Sequence, residues 1–109
     1  MRKETGTTSR SHMSSKSSLL KRYLSSQMQR AKDLGMNWVV DIQLSPLVKK
    51  KYRVYLSDGS YVDYGNIDYE DFLIHRDPER RRRFLARWSH HPNFNNIHSP
   101  VYYIVRLNW

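Results

Sequence analysis

Arginine is the residue type in this sequence whose number and spacing point most directly to chemistry. Six arginines fall between Arg76 and Arg87, in the run RDPERRRRFLAR. A guanidinium group can donate two parallel hydrogen bonds to phosphate or carboxylate oxygens, so a cluster of them suits an anionic partner. Carboxylates in and just before the run could instead pair with these arginines inside the domain: Asp68, Glu70, Asp71, Asp77 and Glu79. The cluster is therefore consistent with a phosphate-binding surface, a protein interface or a solvated helix face.

Histidines and paired carboxylates give no comparable signal. His90, His91 and His98 lie in one predicted loop, but two adjacent histidines and a separated third are more typical of a surface loop than of a zinc site. Glu70 and Asp71 are neighbours and would point to opposite faces of a strand. The four glycines form no phosphate-binding loop. We therefore predict a non-enzymatic protein without catalytic residues, metal, cofactor or small-molecule substrate.

Charge is distributed unevenly along the 109 residues, which carry a net charge of +9. Residues 1–34 hold eight lysines and arginines against two acids, residues 35–75 hold four against six, and residues 76–109 hold seven against two. A basic balance of this size favours an anionic partner, which could be nucleic acid, an acidic protein surface or a membrane face. Because the sequence has no cysteine, disulfides and cysteine-bound zinc are excluded.

A helix that begins after Asp77 would position the arginines. Asp77 suits the N-cap and Pro78 suits the first helical position, and the helix should end before Pro92. Two sets of residues fall at helical spacing: a core-facing set of Arg81, Phe84, Leu85 and Trp88, and a neighbouring stripe of Arg80, Arg83 and Arg87. We predict that the stripe provides the charged contact to an acidic partner.

An antiparallel sheet is predicted to precede this helix. Asp58-Gly59 separates two runs rich in β-formers, residues 51–56 and 61–65, and this pair is typical of a type I′ hairpin turn with positive φ at both residues. One face of the first strand would carry Tyr52, Val54 and Leu56, and the other Lys51, Arg53 and Tyr55. Further strands are predicted at residues 37–44 and 101–107, and residues 72–74 should form a third strand or an extended pass over the core.

The N-terminal third differs in composition. Residues 1–17 form a basic arm rich in serine and threonine without apolar periodicity, and residues 18–35 predict an amphipathic helix that ends at Gly35. Its apolar stripe includes a candidate partner-binding set: Leu20, Tyr23, Leu24 and Met28. Such a stripe suits docking on the chain's own domain or on a neighbouring subunit, and a basic amphipathic helix is also compatible with a membrane surface.

Together these elements predict an α+β fold. A small antiparallel sheet built on a β-hairpin would pack against one or two helices, and an extended basic N-terminal arm would precede them. The domains would be the arm (1–17), the amphipathic helix (18–35) and a small α+β domain (36–109).

Several short motifs follow one another between residue 49 and about residue 96. They are KYRV at 51–54, LSDG at 56–59, Tyr64-Gly65, Tyr69-x-Asp71-Phe72, Ile74-His75-x-Asp77, Glu79-Arg80 and Arg83-Phe84-x-Ala86-Arg87. In this order they resemble a family of small proteins encoded by nucleocytoplasmic large DNA viruses. Members of that family typically end in a tryptophan-rich segment, of which only Arg106 and Trp109 are matched here. The resemblance implies a viral origin and assigns no catalytic residues.

The resemblance and the charge pattern together suggest a structural role. We expect a minor capsid or capsid-associated protein of a large DNA virus particle, located in the virion and, during assembly, in the host cytoplasm. Its partners would be the major capsid protein or other minor capsid proteins, bridged by the N-terminal arm and helix. The alternative is a basic nucleic-acid-binding protein for genome packaging that places the same arginines on phosphates.

Overall fold

The computed structural model of the protein describes residue 18 and residues 20–109, and the predicted arm at residues 1–17 lies outside them. The element order is α1 (Leu24–Asp33), β1 (Val39–Leu44), β2 (Lys50–Leu56), β3 (Tyr61–Asn66), α2 (Phe72–His75), α3 (Pro78–Trp88) and α4 (Pro100–Tyr103). A π-helical segment, Ile104–Asn108, continues directly from α4. The predicted α+β class is confirmed, because a three-stranded antiparallel sheet is combined with packed helices.

The sheet has the strand order β1-β2-β3, and the burial of its central strand alternates as predicted from Tyr52 to Leu56. Tyr52, Val54 and Leu56 are buried, and Tyr52 and Val54 lie opposite Tyr64 and Val62 of β3. In β1, Val39 pairs with Leu56 and Asp41 pairs with Tyr55, so one extra residue forms a β-bulge.

The turn between β2 and β3 differs from the predicted type I′ geometry. Gly59 has φ +90°, but Asp58 has no positive φ. Gly59 N–H donates to the Leu56 carbonyl at 3.0 Å, and Leu56 N–H donates to the Ser60 carbonyl at 2.9 Å. This is the three-residue hairpin loop in which only the last residue is left-handed. The prediction of a hairpin at Asp58-Gly59 is confirmed, and its turn type is wrong because a single glycine provides all the unusual backbone geometry.

Helix α1 lies against the sheet. Ser18 and residues 20–22 are also helical, and a turn at Tyr23 separates them from α1. Gly35, with φ +74°, follows the end of the helix as predicted. Ala31 is buried in the core, and the side chain of Gln27, which is fully buried, accepts a hydrogen bond from the Tyr64 hydroxyl at 2.9 Å.

The segment at residues 72–74 is a helical turn and not the predicted strand or extended pass. The Asp71 side chain accepts a hydrogen bond from the Leu73 amide and so caps α2. Arg76 adopts a left-handed conformation with φ +56° and ends the turn. The local hydrogen-bonding options of Asp71 therefore outweigh the β-propensity of Phe72, Leu73 and Ile74.

The predicted last strand at residues 101–107 is also wrong, because these residues are helical. Ser99 accepts a hydrogen bond from the Val101 amide and Pro100 occupies the first turn, which is the same start signal as Asp77-Pro78. Tyr103 and Leu107 are then buried against the sheet, and the Tyr103 ring lies 5.7 Å from that of Tyr64. The apolar residues of this segment fit the core as a helix as well as they would fit a strand.

Candidate functional site

Helix α3 begins as its sequence predicts. The Asp77 carboxylate accepts hydrogen bonds from the amides of Glu79 at 3.0 Å and Arg80 at 3.4 Å, and Pro78 occupies the first turn. The helix extends to Trp88, so it ends before Pro92. This capped N-terminus sets where α3 begins, and so determines the side of the helix on which each arginine side chain lies.

Three arginines of α3 have partners within the domain. Arg82 and Arg83 form ion pairs with Glu79, and hydrogen bonding by Arg82 holds the pKa of Glu79 below its ordinary value. Arg81 Nε donates to the main-chain oxygen of Trp109. The acids of the run therefore neutralise part of the cluster, as one of the sequence alternatives allowed.

Arg80 and Arg87 differ from these three. Both are exposed, and no carboxylate of the described residues lies within ion-pair distance of either guanidinium. Arg87 lies 5.8 Å from the centre of the Trp88 ring. The two arginines are seven positions apart, which places them about two turns apart on one side of α3. Of the predicted stripe, Arg80 and Arg87 thus remain available to an outside anion, whereas Arg83 contacts Glu79.

A cleft of about 440 Å³ lies beside α3, and Arg80 and Arg87 line it. We call it the α3 cleft. Its apolar lining consists of Phe84, Trp88, Val101, Ile104, Val105 and Trp109. The remaining lining residues are Lys51, Gly65, Asn66, Tyr69, Glu70, Asp71 and Asn108. The cleft is therefore formed by α3, the C-terminal helical region, β2, the end of β3 and the segment that follows it.

Aromatic rings form much of the apolar wall. Phe84 stacks on Trp109 with their ring centres 4.0 Å apart and an angle of 5° between the planes, and its centre lies 5.9 Å from that of Trp88. The sequence placed Phe84 and Trp88 on a core-facing side of the helix, but α3 contains no fully buried residue. These rings are half-buried wall residues, because α3 covers a cleft and not a closed core.

The floor of the cleft contains a buried ion pair that sequence reasoning missed. Lys51 Nζ lies 2.8 Å from Asp71 Oδ2 and donates to the Tyr69 carbonyl at 2.7 Å. Alternation along β2 placed Lys51 on the face of Arg53 and Tyr55. Only 3% of its side chain is exposed, and its ammonium group contacts Tyr69 and Asp71. Nothing in the local sequence predicts these contacts, which depend on where α2 lies.

The apolar stripe of the first helical region lies elsewhere. Leu20 is buried, and Leu24 and Met28 pack partly buried against the core, while Tyr23 is half-buried. The Leu20 carbonyl accepts a hydrogen bond from the Tyr52 hydroxyl at 2.8 Å. None of these four predicted partner-binding residues lines the α3 cleft. Three of them pack against the core of the same chain, namely Leu20, Leu24 and Met28.

Two histidines of the predicted loop have hydrogen-bond partners among the described residues. His98 Nε2 lies 2.8 Å from Asp58 Oδ2, and His91 Nδ1 accepts a hydrogen bond from the Asn93 amide. Hydrogen bonds from Ser60 and from His98 hold the pKa of Asp58 well below its ordinary value. Among residues 18 and 20–109, no group of three histidine, aspartate or glutamate side chains is placed to hold a metal ion.

The central part of the chain matches a known family model. Residues 40–88 match the model of a family of unknown function (DUF5754), a range that begins in β1 and ends with α3. No curated protein and no solved structure matches the chain. Within the part of the chain that the structure describes, no helix has the length and apolar character needed to span a membrane.

Proposed function

We propose that this chain is a non-enzymatic structural protein of a large DNA virus particle, and that it binds a neighbouring protein through the α3 cleft. The observation that carries the proposal is the position of two exposed arginines, Arg80 and Arg87, beside an aromatic-lined cleft. Aromatic residues and arginine are enriched at the centres of protein interfaces, where they contribute most of the binding energy. The partner would be the major capsid protein or another minor capsid protein.

The viral part of the proposal is supported by the resemblance described above. The motifs that carry it include Glu79-Arg80 and Arg83-Phe84-x-Ala86-Arg87, so they contain both arginines of the cleft. They also include Tyr69-x-Asp71-Phe72, which contributes two residues to the cleft lining. The protein would accordingly be located in the virion, and in the host cytoplasm while particles assemble.

Incorporation into particles tests this function directly. We would infect cells with virus that encodes either Arg80→Glu/Arg87→Glu or the control Arg82→Glu/Arg83→Glu, which makes the same charge change on the same helix away from the cleft. We expect the control protein to remain in purified particles after the genome is removed, and the cleft variant to be depleted from them. Equal incorporation of both variants, or loss of the wild-type protein together with the genome, would contradict the proposal.

Nucleic-acid binding for genome packaging is the second candidate. It is supported by the exposure of four arginines on α3, namely Arg80, Arg82, Arg83 and Arg87. For binding to several phosphates, the logarithm of the binding constant falls linearly with the logarithm of the salt concentration. The size of the slope is close to the number of phosphate contacts. Titration of labelled duplex and single-stranded DNA at several salt concentrations therefore separates the candidates. A steep slope that both double variants reduce equally favours packaging.

A further inference from the structure

We propose that the α3 cleft binds an acidic protein segment that inserts a large apolar side chain between α3 and the C-terminal helical region. The carboxylates of the segment would pair with Arg80 and Arg87. This inference rests on the proposed protein-binding role and specifies the chemistry of the partner.

The apolar lining determines the anchor of the segment. Phe84, Trp88 and Trp109 provide aromatic surface on one side, and Val101 and Ile104 provide aliphatic surface nearby. The volume of about 440 Å³ lies within the roughly 300–1,000 Å³ of sites that enclose mostly apolar ligands. A tryptophan, phenylalanine or leucine side chain placed there would exchange water for aromatic contacts, which is the main source of affinity at such anchors.

The positions of the charged groups determine where the acidic residues of the segment lie relative to its apolar side chain. Arg80 and Arg87 are separated by about 10 Å along the axis of α3, since each residue advances the helix by about 1.5 Å. Extended peptide advances by about 3.3 Å per residue, so carboxylates roughly three residues apart match this spacing. Glu70 is exposed and lines the cleft as well, and its charge disfavours carboxylates close to it. The acidic residues should therefore lie along the α3 side.

The floor of the cleft argues against a small anion as the ligand. Lys51 is a floor cation, but its ammonium group already contacts Asp71 and the Tyr69 carbonyl. The two arginines are exposed, so they act on groups that pass over the edge of the cleft and not on groups at its floor. A ligand that combines an apolar side chain inside with separate negative charges outside matches this arrangement, and an acidic peptide has both.

Two polar atoms beside the cleft favour a ligand that has both a hydrogen-bond donor and an acceptor. Asn108 Oδ1 and Trp88 Nε1 are buried and have no hydrogen-bond partner among the described residues. One needs a donor and the other an acceptor. A peptide main chain carries both, in its N–H and C=O groups. Stacked bases fit less well, because Phe84 and Trp109 already cover one face of each other.

Fluorescence anisotropy with labelled peptides tests the inference on the full-length protein. The probe is a fluorescein-labelled peptide with one tryptophan between two aspartates three residues apart. One matched peptide has asparagine in place of both aspartates, and another has serine in place of tryptophan. We expect the acidic tryptophan peptide to bind more tightly than either. Exposed ion pairs contribute up to about fivefold each, so Arg80→Ala/Arg87→Ala should weaken binding by about tenfold.

The control variant is Arg82→Ala/Arg83→Ala, which removes the same charge from α3 at positions that do not line the cleft. It should leave the affinity for the acidic peptide unchanged. Equal affinity for the aspartate and asparagine peptides would overturn the inference, as would equal effects of the two double variants. Displacement of the peptide by a single-stranded oligonucleotide that needs the same two arginines would overturn it in favour of nucleic acid.

Particle incorporation distinguishes this inference from the broader function. If incorporation depends on Arg80 and Arg87 but no peptide binds, the acidic-segment inference fails and the protein-binding role stands. If peptide binding depends on both arginines but incorporation does not, the cleft binds acidic segments and the proposed role in the particle fails.

Discussion

Lys51 of the central strand and Asp71 of the α2 cap form an ion pair inside the protein. The Nζ to Oδ2 distance is 2.8 Å, and the two side chains are only 3% and 6% exposed. Asp71 Oδ1 also accepts the Leu73 amide, and Lys51 also donates to the Tyr69 carbonyl. These added hydrogen bonds matter because a buried charge is costly unless its partners satisfy it. The pair therefore ties the central strand of the sheet to the cap of α2.

Substitution of Lys51 by methionine should be strongly destabilising. Lys51→Met leaves Asp71 buried without its cation, and breaking such a pair from one side costs about 3–5 kcal/mol. Urea unfolding would measure the change in free energy. The control is Lys49→Met, because Lys49 and Asp68 are exposed and 3.5 Å apart, and exposed pairs contribute little. Similar losses for the two variants would contradict a special role for the buried pair.

Alanine at Gly65 should cost more stability than alanine at Gly35. Both glycines have positive φ, +84° and +74°, so both variants carry the left-handed strain of about 1–2 kcal/mol. A Cβ at position 65 would lie 2.9 Å from Asn108 Nδ2 and 3.1 Å from Lys51 Cβ, whereas one at position 35 would have no neighbour within 4 Å.

Overpacking adds about 1–3 kcal/mol at position 65 alone. The difference between the unfolding free energies of Gly65→Ala and Gly35→Ala isolates that contribution. Equal destabilisation would mean that Asn108 and Lys51 move aside without cost.

Gln27 should contribute strongly to stability, because both polar atoms of its side-chain amide form buried hydrogen bonds. Its Nε2 donates to the Leu107 carbonyl at 3.2 Å, and its Oε1 accepts from the Tyr64 hydroxyl at 2.9 Å. Gln27→Leu leaves these two buried groups without a partner, which costs about 1–3 kcal/mol for each. The double variant Gln27→Leu/Tyr64→Phe removes one of them, so thermal unfolding should give a loss smaller than the sum of the single losses. Additive losses would contradict the coupling.

Acid should weaken the protein through Asp63. Burial raises the pKa of Asp63, but hydrogen bonds from Arg53 and Ser45 together lower it by more. The net pKa is therefore below the ordinary value. The folded state therefore binds this proton less readily than the unfolded state. The contribution of Asp63 to stability is present above about pH 4 and is lost as the pH falls through the folded pKa.

Asp63→Asn should flatten the acid side of a plot of unfolding free energy against pH. Arg53→Gln should do the same, because Arg53 Nε and Nη2 donate to the two carboxylate oxygens at 2.9 Å and 3.0 Å. If the acid slope stays unchanged in both variants, this carboxylate does not control the acid sensitivity.

The local sequence was sufficient for those elements whose signals are complete within a few residues. Asp58-Gly59 and Asp77-Pro78 identify a hairpin and a helix start, and both are present in the structure. The same logic was available at Ser99-Pro100, but the β-branched and aromatic residues that follow favoured a strand. The β-propensity of residues 101–107 was the weaker signal, because the Ser99 cap and Pro100 fix a helical backbone at the start of this segment.

The candidate site could be predicted only in part. Arg80 and Arg87 were in the predicted stripe, yet Arg83 has the same helical phase and pairs with Glu79 one turn earlier. The Arg83–Glu79 ion pair depends on the direction in which each side chain extends along the helix. Residue spacing alone does not give that direction. The burial of Lys51 was not predicted, because it depends on Tyr69 and Asp71, which lie 18 and 20 positions later in the chain.

The order in which the chain is synthesised gives the Gln27 to Leu107 hydrogen bond a further consequence. Its two residues are 80 positions apart, so this bond cannot form until the π-helical segment has left the ribosome. The β2–β3 hairpin needs only neighbouring residues and can form much earlier. Until Tyr103 and Leu107 are synthesised, the Tyr52 and Tyr64 face of that hairpin can be covered only by the first helical region, and the core is incomplete. We expect the nascent chain to need protection from aggregation during that interval, and the core to be completed when residues 103–107 pack against the sheet.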